Sequence, residues 1–88
     1  MDAPAELRTL IGADGRIKRL PVKLSRKEIL ARWALERIEF DREYSEAEIN
    51  EAFLAIVDDF ALIRRMLIEM GLLERDKYGR VYKRVVVS

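Results

Sequence analysis

The pattern Ser-x-x-Glu occurs twice, as Ser25-Arg26-Lys27-Glu28 and as Ser45-Glu46-Ala47-Glu48. A hydroxyl and a carboxylate at that spacing satisfy two free backbone N–H groups reciprocally, so each pattern predicts the first turn of a helix. Behind the first, Ile29, Leu30, Trp33, Ala34 and Ile38 recur at helical spacing; behind the second, Ile49, Ala52, Phe53, Ile56 and Val57 do. Helices over residues 26–38 and 46–57 are therefore expected. Asp58 or Asp59 is suited to cap a third, over 59–70, with Phe60, Ile63, Met66, Leu67 and Met70 as its apolar positions. Gly71 stands where a helix ends in the left-handed conformation. Leu30, Trp33, Ile49, Phe53, Ile63, Leu67 and Leu73 form the expected core.

After Gly71 the helical period stops. Leu72 to Arg75, then Asp76-Lys77-Tyr78-Gly79, then Arg80 to Val85 reads as strand, turn and strand. A second turn signal, Asp14-Gly15, lies between Leu10-Ile11 and Ile17-Lys18-Arg19-Leu20 and predicts a short N-terminal β-hairpin that Pro21 ends. The fold class expected from this order is α+β. It is a winged helix, in which a three-helix helix-turn-helix core carries a C-terminal β-hairpin wing. Residues 1–88 make one domain, with residues 1–9 expected to be flexible.

The chain is 50% hydrophobic, enough for a core, and has neither cysteine nor histidine. Disulfide frameworks, zinc fingers, iron–sulfur sites and Cys/His nucleophiles are thereby excluded. Asp58-Asp59 is a carboxylate pair of the kind that holds a metal, but acidic residues at a helix start are expected on capping grounds alone. No catalytic residue, metal site, cofactor or small-molecule substrate is expected, and the chain is read as not an enzyme. It shows no signal peptide and no apolar run of spanning length, so a cytoplasmic location is expected and no membrane partner.

Charge is balanced overall and segregated locally. Eight basic residues face two acidic ones across 16–37, and one basic residue faces eight acidic ones across 38–62. In a helix-turn-helix the third helix enters the major groove and a wing touches the flanking backbone. Arg64 and Arg65 on the third helix, with Arg75, Lys77, Arg80, Lys83 and Arg84 on the hairpin, are the candidate phosphate contacts. The third helix has few groups able to read base edges, so weakly sequence-specific binding to duplex DNA is expected. The competing expectation is a protein-interaction or homodimerisation module. Leu62 and Ile68 (with Leu54) lie outside the core stripe, and Val85, Val86 and Val87 would extend an unpaired β-edge.

Several of these residues fall into a wider pattern. Asp14-Gly15-Arg16-Ile17-Lys18 with Pro21 and Lys23, Tyr44-Ser45-Glu46 with Ile49-Asn50-Glu51, and Asp59 with Ile63-Arg64-Arg65 make up its first part. Leu67, Gly71-Leu72-Leu73, Arg75, Gly79, Tyr82 and Arg84 complete it. Over residues 12–84 the chain resembles the bacterial family catalogued as domain of unknown function 2087. The resemblance implies a winged-helix-like domain of a kind attached in some members to transcriptional regulators; it implies no chemistry. Lys83 stands where members often carry an aromatic, which argues against a stacking surface on the hairpin.

Overall fold

The computed structural model describes residues 3–85. A 3-10 helix, Ala5–Leu10, opens the chain. Then come α1 (Leu24–Leu35), β1 (Glu43–Ser45), α2 (Glu46–Leu54), α3 (Phe60–Glu69), β2 (Leu73–Arg75) and β3 (Val81–Arg84). The fold is mixed α+β, with four helical segments around a three-stranded antiparallel sheet of order β1-β3-β2. Every residue expected in the core is buried, and Leu7, Leu10, Ile17, Tyr44 and Tyr82 join them. Fully burying a side chain of this size stabilises by about 1.5–3 kcal/mol, so the cluster supplies the main driving force.

The second Ser-x-x-Glu pattern forms as expected. Ser45 Oγ accepts from the Glu48 N–H, and Glu48 Oε1 accepts from the Ser45 N–H at 2.8 Å. Asp59 caps α3 by accepting from the Leu62 N–H at 3.1 Å, and Gly71 ends it at φ 75°. The first pattern does not form. Lys27 N–H already donates to the Lys23 carbonyl, so α1 begins at Leu24 with Lys23 as an uncapped N-cap, and Ser25 lies inside the first turn.

Two helices end earlier than their apolar stripes suggest. After Leu35 the N–H groups of Arg37 and Ile38 bond three residues back, and Arg84 Nη1 takes the Leu35 and Ile38 carbonyls at 3.1 and 3.0 Å. After Leu54 the chain leaves α2 to run beside Ile17. The Ile17 N–H donates to the Ile56 carbonyl, and the Asp58 N–H donates to the Ile17 carbonyl. Ile38, Ile56 and Val57 remain buried, so the stripes mark the core correctly and the helix ends wrongly.

The N-terminal hairpin is reduced to one antiparallel bridge, Ile11↔Ile17, closed by Gly15 at φ 78°. The residues before Ile11 wind into the 3-10 helix rather than a strand. Leu7, in the segment expected to be flexible, is fully buried. Of the free β-edge expected at the end of the chain, the part within the described residues, through Val85, is paired, and Val86 and Val87 lie outside them. β3 is the central strand, paired to β1 and β2, and the Val85 N–H continues the ladder to the Leu72 carbonyl. The sheet's edges are β1 and β2, three residues each and both carrying charge.

Candidate nucleic-acid interface

The seven cations singled out from sequence separate into four environments. Arg84 is bound inside the fold: besides the Leu35 and Ile38 carbonyls it holds, its guanidinium lies 3.7 Å from the centre of the Phe40 ring. Arg64, only 19% exposed along its side chain, donates to Asn50 Oδ1 and pairs with Glu46 at 3.2 Å. It thus ties α3 to α2 through one hydrogen bond and one ion pair. The acidic partner comes from α2, which packs against α3. Lys83, on the central strand, stands opposite Glu43 on one side and Glu74 on the other. Cross-strand carboxylates of that kind offset its charge.

Arg65, Arg75, Lys77 and Arg80 make no ion pair among the described residues, and all four are exposed. They follow one another in space. Arg64, Arg65 and Arg75 line an open groove of about 380 Å³ between α3 and β2, with Ala61, Ile68 and Glu69 as its remaining walls. Arg75 leads on to the β2–β3 turn, where its Nη1 lies 3.6 Å from the place a Cβ on Gly79 would occupy. Lys77 and Arg80 flank the tip of that turn.

The turn itself is built by Asp76. Its Oδ1 accepts from the Arg80 and Val81 N–H groups at 2.7 and 3.2 Å, and its carbonyl accepts from the Gly79 N–H. The bond from the Arg80 N–H is the main reason the Asp76 carboxyl titrates below its ordinary 3.8. Gly79 sits at φ 68°, a conformation that side-chain-bearing residues rarely adopt.

Tyr78 projects from this turn with 67% of its surface exposed. Lys77 Nζ lies 5.2 Å and Arg80 Cζ 5.3 Å from its ring centre. Tyr78 is not among the residues that the sequence singles out, whereas Lys83 is. The available signal was an aromatic between two cations in a four-residue turn, a position that makes no demand for an aromatic.

The apolar residues proposed as a contact patch divide as well. Leu54 and Leu62 are exposed, whereas Ile68 is half-buried and packs on the core. Val85 is half-buried, and Val86 and Val87 lie outside the described residues. Among the described residues no group of His, Cys, Asp or Glu is arranged to hold a metal ion, and no helix is long and apolar enough to cross a membrane.

No curated protein and no solved structure matches the chain. Residues 16–84 match the model of the family described as "Uncharacterized protein conserved in bacteria (DUF2087)". That span runs from Arg16, through both α3 arginines and the Asp76 turn, to Arg84, and by it the chain belongs to the DUF2087 family.

Proposed function

We propose that the chain is a winged-helix module that binds duplex DNA mainly through phosphates. The observation that carries this reading is the continuous line of unpaired cations, Arg65, Arg75, Lys77 and Arg80, running from the α3 groove to the tip of the β2–β3 turn. Support for the winged-helix assignment comes from the order α1-β1-α2-α3-β2-β3 together with a sheet in which the last strand is central. In that arrangement α3 takes the recognition position and the β2–β3 hairpin is the wing. The outward positions of α3 include Ala61, Leu62 and Arg65, which offer few donors or acceptors to base edges. Weak sequence preference follows. Glu48 and Glu51 on α2 repel phosphate, so the duplex approaches from the α3–β2 side.

The test is fluorescence anisotropy with a random-sequence duplex across a salt series. The logarithm of affinity should fall linearly with the logarithm of salt, with a slope of about −0.9 per phosphate neutralised. Arg65→Ala with Arg75→Ala should flatten the slope by roughly two units and weaken all sequences alike. Absence of binding at low ionic strength overturns the proposal. It leaves the second reading, a protein-interaction module, for which the exposed Leu54 and Leu62 are the supporting observation.

A further inference from the structure

We propose that Tyr78 is a stacking platform for an unpaired nucleotide base, with Lys77 and Arg80 on the flanking phosphates. The inference rests on the nucleic-acid reading above and goes beyond it, since that reading uses phosphate contacts alone.

The fold has no use for this ring. The β2–β3 turn is closed by the Asp76 carboxylate and carbonyl and by the positive φ of Gly79, all of it backbone and Asp76 chemistry. Tyr78 contributes nothing to the buried cluster, and among the exposed large hydrophobic residues it is the only one on the hairpin. An aromatic ring held in water at a turn tip keeps a large apolar face unburied. The two cations lie over the ring at 5.2 and 5.3 Å, attracted by its π-system, and leave the residue 67% exposed.

That combination has a defined chemical complement. A nucleobase offers a flat π-face of similar size between two phosphates, and every base has such a face, so stacking is tolerant of sequence. Bases inside a duplex already stack on their neighbours. A ring on a narrow tip therefore reaches a base only where pairing has ended. Arg75 connects the two regions, lining the α3 groove at one end and lying against Gly79 at the other. A duplex seated in the groove would deliver its single-stranded continuation to the tip.

The experiment compares a blunt duplex with the same duplex carrying a single-stranded 3′ extension of mixed sequence, using the full chain and fluorescence anisotropy at low salt. The extended form should bind more tightly. Tyr78→Ala should lose that preference, by roughly 5- to 160-fold (about 1–3 kcal/mol per stacked base), and keep its affinity for the blunt duplex. Tyr78→Phe keeps the π-face and should retain the preference. An undiminished preference in Tyr78→Ala, or equal affinity of the parent for both forms, overturns the stacking role and leaves the phosphate reading standing. Binding to neither form overturns both. Because Tyr78 lies outside the core, the melting temperature of each variant should match that of the parent.

Discussion

Arg16 illustrates how one side chain can decide the end of a helix. Its Nε donates to the Leu54 carbonyl at 3.0 Å and its Nη2 to the Val57 carbonyl at 2.9 Å, while Nη1 pairs with Asp58 at 3.0 Å. The last carbonyls of α2 lack partners within the helix, and a forked guanidinium suits them better than water does. Replacing Arg16 by Ala should therefore lower unfolding free energy by about 1.5–3 kcal/mol in denaturant titration. Lys at this position should recover only part of the loss, because an ammonium cannot serve three acceptors spread across one plane. In the sequence Arg16 is one of eight cations in a basic run, and nothing local separates it from Arg19 or Arg26. Arg84 is the same case at the end of α1, so two of the most structural arginines are indistinguishable by composition from solvated ones.

At the scale of elements, the two Ser-x-x-Glu patterns are alike as text and different in the folded chain. Ser45 is the last residue of β1 and its backbone is already extended, so its hydroxyl meets the free N–H of Glu48. Ser25 is overtaken by a helix that starts earlier. Ser45→Ala should cost about 1 kcal/mol and Ser25→Ala less than about 0.5, and paired thermal melts of the two variants distinguish them. Helix identity and core stripe are legible because Phe53, Ile63 and their neighbours impose a period that burial then uses. The helix ends are not legible, since Arg16, Arg84 and the backbone of Ile17 fix them from 20 or more residues away in sequence. The Ala5–Leu10 helix has no period to read at all. At the candidate site the cations are visible in the sequence, but which of them are held depends on partners from other elements: Glu46 and Asn50 for Arg64, the Leu35 and Ile38 carbonyls for Arg84.

For the molecule as a whole, acid stability depends on a few carboxylates. Asp14 is held below its ordinary 3.8, chiefly by the hydrogen bond from Lys18 and also by the Arg16 N–H. Glu48 is held below 4.5 chiefly by the Ser45 N–H, and Asp76 is lowered as described. A lowered native pKa stabilises above the unfolded value, and that contribution disappears as pH falls through the native value. Lys18 is raised above 10.5 by Asp14 and Asp58, so its contribution is lost only as pH rises through that higher value. With no histidine between these ranges, the melting temperature should be nearly flat from about pH 5 to 9 and fall below about pH 4. Asp14→Asn combined with Asp76→Asn should make the acid decline shallower, as measured by melts between pH 2 and 7.

The Ile11↔Ile17 bridge and the buried Leu7 and Leu10 bear on what counts as the unit of this family. The match to the family model begins at residue 16, inside the loop that those leucines anchor. The border of that match and the border of cooperative folding therefore differ here. A piece cut at residue 16 would expose the apolar floor beneath α1 to water.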